Sequence, residues 1–190
     1  MKKSVIIRAN LWLNSSEDIN MKKARRIVLI GFRGVGKTTI AKRLSETLNW
    51  PRISTDELIE ARENMKIPEI VEKGGWPKFR QIESEEIRKA AEINHCIIDC
   101  GGGVVENPSN MEILSKDSLI VWVDAAIDDI YQWLMQMGDR PLLNQPNIRQ
   151  DIETNYRRRE KLYRQYSTIY VNTSTESFDT ICQKIVEIST

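Results

Sequence analysis

Short apolar runs alternate with longer amphipathic stretches over most of the chain. The run RIVLI at residues 26–30 is mostly β-branched, which is typical of a buried strand. The next stretch places Ile40, Leu44 and Leu48 on one face of a predicted helix, which ends before Pro51. Because strands and helices keep alternating in this way, we predict an α/β fold with a parallel sheet covered by helices on both faces.

Four further apolar runs predict strands later in the chain. They lie at residues 52–55, 96–100, 119–124 and 167–172. Proline position and apolar spacing predict helices opened by Pro68 and by Pro77, one that ends near Met137, one over about 150–166 and one from Phe178 onward. The polar segment GDRPLLNQPN follows Met137, and we interpret it as a loop.

Residues 1–20 do not follow this alternation. Their apolar stretch is very short and is broken by Arg8 and Asn10, so they make a poor signal peptide. Met21 then opens a fresh MKKARR directly before the first strand, so the segment is either an extension or the product of an upstream start codon. We predict an N-terminal extension of unknown role at 1–23 and one domain at 24–190.

Charge and composition narrow the classes of partner. The chain of 190 residues has 28 Lys and Arg against 27 Asp and Glu, so no overall field favours nucleic acid or an anionic membrane. No apolar run approaches the roughly 18–20 residues that cross a bilayer. We therefore expect a cytoplasmic protein without nucleic-acid or membrane partners. No exposed apolar stripe stands out, so we expect a monomer.

The cysteines do not form a pattern typical of a metal site. Cys96 and Cys100 lie in or beside an apolar run, Cys182 is far away in sequence, and His95 is the only histidine. A structural metal site needs closer pairs and more ligands. We interpret all three cysteines as buried thiols in a reducing compartment.

The glycine-rich segment GFRGVGKTT, residues 31–39, joins the first strand to the first helix and matches G-x-x-x-x-G-K-[ST]. Glycines let backbone N–H groups surround a phosphate, and the positive end of the helix points at the same anion. Lys37 can span the β- and γ-phosphates, and the Thr38 hydroxyl can bind Mg²⁺. The segment predicts a site for ATP or GTP with Mg²⁺ but leaves the phosphate acceptor open.

Four further features lie near predicted strand ends or in loops, where ligands bind on open α/β sheets. Asp56 alone favours a helix cap, although its carboxylate can also accept a proton from an acceptor hydroxyl. Arg80 lies early in a helix, where arginine is usually solvated. The triplet Gly101–Gly103 is either a flexible turn or a place where a ligand approaches the backbone. Arg140 lies in the polar loop, and Arg157–Arg159 follow on the next helix.

Together these segments resemble the shikimate kinases from about Ala24 to the C-terminus. Six motifs carry the resemblance in order: GFRGVGKTT, TDELIE, GGWPKFR, CGGGVVENP, GDRPLL and RREKLYRQYSTIYVNT. Gluconate kinases and other small-molecule P-loop kinases share the first motif but not this series. The resemblance implies a three-layer sandwich with a five-stranded parallel sheet of the nucleoside-monophosphate-kinase type and a mobile lid at about 138–149. It also implies Mg²⁺-dependent transfer of the ATP γ-phosphoryl group to the 3-hydroxyl of shikimate, in aromatic amino-acid biosynthesis.

The resemblance also implies roles for individual residues. Asp56 orients the ring hydroxyls and acts as the base, Arg80 and Arg159 hold the substrate carboxylate, and Arg140 reaches from the lid towards the phosphates. The implied catalytic residues are Lys37, Asp56 and Arg140; the substrate contacts are Asp56, Arg80, Gly101, Gly102, Gly103 and Arg159; the nucleotide contacts are Gly34, Val35, Gly36, Lys37, Thr38, Thr39 and Arg140; the metal ligand is Thr38.

The sequence departs from the family pattern at several positions. The usual motif at the second strand is Asp-x-Asp, and its first Asp, which helps to hold Mg²⁺ through water, is Ser54 here. Trp76 and Lys161 replace a usual Glu and Pro, and Trp133 lies near the position of an adenine-contacting arginine. Trp76 either walls the substrate site or joins the core, and for Trp133 we favour the core.

These departures leave two other functions open. One is a sensor domain that binds ATP or shikimate with little turnover, and the other is a related kinase for a different hydroxy acid. Only about twenty residues precede the kinase-like region, which favours the enzyme over a sensor attached to a regulatory domain.

Overall fold

The structure is a computed structural model that describes residues 24–137 and 147–189. Strands are β1 (Arg26–Ile30), β2 (Arg52–Ser54), β3 (Cys96–Asp99), β4 (Ser118–Asp124) and β5 (Ile169–Asn172). Helices are α1 (Lys37–Leu48), α2 (Thr55–Glu63), α3 (Ile67–Ala90), α4 (Pro108–Ser115), α5 (Ile127–Met137), α6 (Ile148–Tyr166) and α7 (Phe178–Ser189), with a 3₁₀ turn at Val104–Glu106. The predicted alternation of strands and helices is confirmed.

The five strands form one parallel sheet in the order β2-β3-β1-β4-β5. The central strand β1 is buried along its whole length, and β3 is as well. Parallel strands covered on both faces have no solvent side, so their sequences are continuous apolar runs. The predicted five-stranded parallel sheet is confirmed, and all its strands end at the same edge.

Helices bury the faces that the spacing predicts. In α1, Ile40 and Leu44 have no exposed surface, and in α7 the same holds for Ile181 and Ile185. A second, smaller apolar cluster joins α2 to α3; it consists of Ile59, Ile70, Phe79 and Ile82. The main core lies at the sheet, and the small cluster supports the two helices that follow β2.

One local detail differs from the sequence prediction, and another agrees with it. The N-cap of α2 is Ser54, whose hydroxyl accepts from the Glu57 backbone N–H at 3.3 Å, so Asp56 is not the cap. The reason is that Ser54 is the last residue with extended backbone, and a cap must lie just outside the helix. Gly75, with φ of 71°, interrupts α3 with non-helical backbone just before Pro77, so the predicted start of a helix at Pro77 is confirmed.

All three cysteines are free and buried, as predicted. Burial raises the pKa of the Cys96 thiol to about 11 and holds the pKa of Cys100 well above its ordinary value. In the described ranges, no three His, Cys, Asp or Glu side chains are grouped so that they could hold a metal ion. Within those same residues, no helix has the length and apolarity to cross a membrane.

The middle of β3 tests how much stability the sheet core contributes. Ile98 has no exposed surface and is paired with Val28 and Ile53 on its two neighbours. We expect Ile98→Ala to lower the free energy of unfolding by about 2–5 kcal/mol, because it leaves a cavity that the sheet cannot close. Ile93→Ala is the matched control, because that side chain is 44% exposed, and we expect a change within about 0.5 kcal/mol. Urea unfolding measures both, and equal losses would contradict the assigned core.

Candidate active site

The glycine-rich loop leads from the end of β1 into α1. Gly31, Gly34 and Gly36 have φ of 144°, 82° and 91°, in the region that favours glycine. A Cβ on Gly31 would lie 2.0 Å from the Val123 carbonyl oxygen, so a side chain there would collide with β4. The loop therefore turns tightly against the sheet, and α1 begins at Lys37 with its N-terminal N–H groups beside it.

The two polar side chains that end the loop have defined partners. The Lys37 ammonium donates to the carbonyls of Gly31 at 3.0 Å and Phe32 at 2.8 Å. The Thr38 hydroxyl donates to Oδ2 of Asp99 at 2.8 Å. Lys37 is only 8% exposed, so its charge is held over the loop rather than in bulk solvent. This is a suitable arrangement for a group that meets phosphate oxygens.

A cavity of about 780 Å³ opens in front of this loop. It brings together predicted site residues from five parts of the chain: Gly34, Gly36, Lys37, Thr38, Thr39, Asp56, Arg80, Gly101, Gly102, Gly103 and Arg159. Val35 is instead fully buried beneath the loop. Arg140 lies outside the described residues. One continuous cavity thus reaches from the phosphate loop to the predicted acceptor side chains.

The glycine triplet after β3 leaves room for two of these side chains. A Cβ on Gly101 would lie 2.6 Å from Oδ1 of Asp56, and one on Gly103 would lie 2.1 Å from Nη2 of Arg80. The triplet is therefore more than a flexible turn. Its backbone packs directly against the carboxylate and the guanidinium that face the cavity.

One carboxylate contacts three arginines, two of which line the cavity. Oε2 of Glu106 accepts from Arg159 at 2.9 Å and lies 3.4 Å from Nη2 of Arg80. Its other oxygen lies 2.6 Å from Nη2 of Arg158. Arg159 is 6% exposed, so its charge is largely removed from water and needs such a partner. Arg80 and Arg159 therefore both contact the same carboxylate oxygen, Oε2 of Glu106.

A second carboxylate supports Arg80 from below. Glu83 has no exposed surface, and its Oε2 accepts from Arg80 at 2.6 Å. Burial raises the pKa of the Glu83 carboxyl, and the Arg80 charge acts in the opposite direction. The pair holds the guanidinium towards the cavity.

The two tryptophans that depart from the family pattern lie in different surroundings. Trp76 is 39% exposed and lines the cavity; the Arg80 guanidinium lies 5.6 Å from its ring centre. Trp133 packs, half-buried, against the main core. The geometry therefore favours a cavity wall for Trp76 and core packing for Trp133.

Three carboxylates of the site were not selected from the sequence. Glu83 had a usable signal, because it follows Arg80 by three positions on one helix. Asp99 also had one, because it ends a buried strand directly before the glycine triplet. Glu106 had none, since only the 3₁₀ turn after the triplet directs it at α6.

Comparison with known proteins identifies the family. The family model described as Shikimate kinase matches residues 33–190. A shikimate kinase of Dehalococcoides mccartyi is 37% identical over 165 residues, covering 87% of this chain and 93% of the relative. One of Macrococcus caseolyticus is 37% identical over 155 residues, covering 81% of this chain and 90% of the relative.

Solved structures agree with the sequence comparison. A shikimate kinase from Acinetobacter baumannii in complex with shikimate has a TM-score of 0.81 and 27% identity, covering 88% of this chain and 94% of that one. A shikimate kinase from Aquifex aeolicus has a TM-score of 0.74 and 30% identity, covering 86% and 95%. The predicted nucleoside-monophosphate-kinase-like fold is confirmed. The chain belongs to the shikimate kinase family.

Proposed function

We propose that this protein transfers the γ-phosphoryl group of ATP to the 3-hydroxyl of shikimate, giving shikimate 3-phosphate and ADP. ATP use is a property of the family to which the chain belongs. The single observation that carries the choice of acceptor is the cavity that joins the phosphate loop to Asp56, Arg80 and Arg159. That cavity suits a small hydroxy acid, because it has a carboxylate for a hydroxyl and guanidinium groups for an acid.

The nucleotide end is built from the loop and the start of α1. The loop N–H groups and Lys37 hold the phosphates, and the Lys37 ammonium exchanges its carbonyl partners for phosphate oxygens. The Thr38 hydroxyl and the neighbouring carboxylate of Asp99 fit a divalent cation, because Mg²⁺ prefers oxygen ligands and keeps several waters. A Mg²⁺ ion held there would neutralise negative charge on the phosphates.

The acceptor end is built from α2, α3, the glycine triplet and α6. Arg80 and Arg159 hold the carboxylate, since planar, permanently charged guanidinium groups can bind it with two parallel hydrogen bonds. Asp56, placed against Gly101, hydrogen-bonds the ring hydroxyl and accepts its proton as the new bond to phosphorus forms. Phosphoryl transfer depends mainly on such positioning and on charge stabilisation.

The lid and the assembly complete the proposal. The family resemblance implies a lid at about 138–149 that would bring Arg140 towards the phosphates and exclude water from the reaction. Most of this range, including Arg140, lies outside the described residues. We also propose that the protein acts as a cytoplasmic monomer and that residues 1–23 are an extension to the kinase domain.

Release of ADP on addition of shikimate to the protein with Mg·ATP tests the proposal. We expect turnover, and we expect Lys37→Ala to reduce it by about 10²–10³-fold or more, because a preorganised charge on the transferred group is lost. Lys42→Ala on the exposed face of α1 is the control and should keep the activity. Binding of both ligands without turnover would favour the sensor, and turnover with another hydroxy acid alone would favour the related kinase.

The two arginines of the acceptor end are expected to act mainly on binding. We predict that Arg80→Ala or Arg159→Ala raises the KM for shikimate about 10–100-fold, because a charged hydrogen bond worth about 1.5–3 kcal/mol is lost equally from ground and transition states. Arg157→Ala is the control, since Arg157 is exposed on the same helix. An unchanged KM in both arginine variants would contradict their assignment.

Glu106 is expected to compete with the substrate for these arginines. Because its carboxylate already contacts Arg159 and Arg158, we predict that Glu106→Gln lowers the KM for shikimate about threefold to tenfold. Glu112→Gln, on an exposed position of α4, should leave the KM unchanged. A higher KM in Glu106→Gln would mean that Glu106 orients the arginines rather than opposing the acid.

A further inference from the structure

A buried carboxylate, that of Asp99, lies beside Thr38 at the phosphate loop. The family resemblance supplied no role for it. Asp99 is the last residue of β3 and is 5% exposed. Its Oδ2 accepts from the hydroxyl of Thr38, at 2.8 Å. It lines the same cavity as Lys37 and Thr38. Its charge therefore lies beside the hydroxyl that is expected to meet the metal ion.

The register of the sheet relates Asp99 to the family position that has lost its acid. Ser54 of β2 and Asp99 of β3 are direct partners in the parallel pairing. Paired residues on neighbouring parallel strands project to the same face of the sheet, and the strands are only about 4.8 Å apart. The chain thus has the Ser54 hydroxyl on β2, where the family usually has a carboxylate. It has the Asp99 carboxylate on the neighbouring strand β3, which lies between β2 and the central strand β1.

Ser54 itself is already used in the backbone. Its hydroxyl oxygen accepts from the N–H of Glu57 as the cap of α2, and the residue is 8% exposed. A capping serine brings no charge to the phosphate loop. Without an acid at position 54, the metal site needs a carboxylate oxygen near Thr38 from elsewhere in the fold. Asp99 supplies one.

If Asp99 had only a structural role, its partner would be the Arg52 guanidinium. The nearest guanidinium nitrogen of Arg52 lies 3.4 Å from Oδ2 of Asp99, and the same arginine lies closer, at 2.5 Å, to Glu57. Arg52 is thus shared with another carboxylate, and its contact with Asp99 is the longer of the two. The hydrogen bond from Thr38 to Asp99, at 2.8 Å, is shorter than the contact of Asp99 with Arg52, and both Thr38 and Asp99 line the cavity.

We propose that Asp99 holds the hydrated Mg²⁺ of the nucleotide complex in place of the acid that the family usually has at position 54. Asp99 is a positioning residue: it orients Thr38 and accepts from metal-bound water. The inference rests on the proposed function for the presence of a metal–nucleotide complex, and it concerns only how this chain's own carboxylate supports that complex.

The test compares ADP binding by calorimetry in Mg²⁺ and in EDTA, without shikimate. We expect Asp99→Asn to lose about 10–100-fold of the affinity that Mg²⁺ adds, which is typical when a group that orients a metal ligand is removed. Its affinity in EDTA should stay within about twofold of the unchanged protein, since Asn keeps the size and an acceptor for Thr38. Asp179→Asn, which removes an exposed partner of Arg43, is the matched control.

Two further variants separate a displaced charge from a structural effect. Ser54→Asp combined with Asp99→Asn returns the carboxylate to β2 and should recover most of the Mg²⁺-dependent affinity. Ser54→Asp alone should change that affinity by less than about threefold, because the unchanged protein already has its acid. If the acid at position 54 had no replacement in the fold, Ser54→Asp alone would strengthen the Mg²⁺ dependence of ADP binding.

Each outcome decides the proposal. A full Mg²⁺ effect in Asp99→Asn, equal weakening in Mg²⁺ and EDTA, or a large gain in Ser54→Asp alone would overturn it. If Asp99→Asn does not fold, Ser54→Asp alone and its ADP affinities still decide. Because the binding test contains no shikimate, its result does not depend on which acid is the acceptor. If the protein turns over shikimate but Asp99→Asn leaves the Mg²⁺ effect on ADP binding unchanged, only this inference is overturned.

Discussion

The pairing of β1 with β3 on one side and β4 on the other is the constraint on which the site depends. Because these strands are parallel, the phosphate loop after β1 and the glycine triplet after β3 emerge at one edge. A Cβ on Gly31 would lie 2.0 Å from the Val123 carbonyl oxygen, which shows how little space remains there. A side chain in the loop would displace either the loop or β4, so the anion site and the sheet core form one packed unit.

The charges of the site are arranged so that each cation has a partner before a ligand arrives. Lys37 rests on two carbonyls, Arg80 on Glu83, and Arg159 on Glu106. An unpaired charge in a partly buried cavity costs free energy, so these cations are paired with oxygen atoms of the protein itself. Anionic ligands then exchange one oxygen for another, which is consistent with a chain of nearly neutral net charge.

The acceptor half of the site stands on a separate support. Asp56 and Arg80 belong to α2 and α3, which share the small cluster of Ile59, Ile70, Phe79 and Ile82 rather than the main core. Phe79 is buried in that cluster, and its neighbour Arg80 therefore faces the cavity. Asp56 and Arg80 are thus supported on one side by this small cluster and on the other by the glycine triplet after β3, whose backbone packs against both side chains.

Local patterns in the chain were sufficient to predict the five strands and the phosphate loop, whereas the acceptor residues were selected only through the resemblance to a family, and their roles stay predictions. Buried parallel strands are apolar runs, and glycines mark the turns with positive φ. Both features can therefore be predicted from short stretches of sequence. The cap at Ser54, the contact of Glu106 with α6 and the place of Asp99 beside Ser54 and Thr38 required the assembled fold. The reason is that strand order and register join segments distant in the chain, and no spacing within one segment specifies which side chains they bring together.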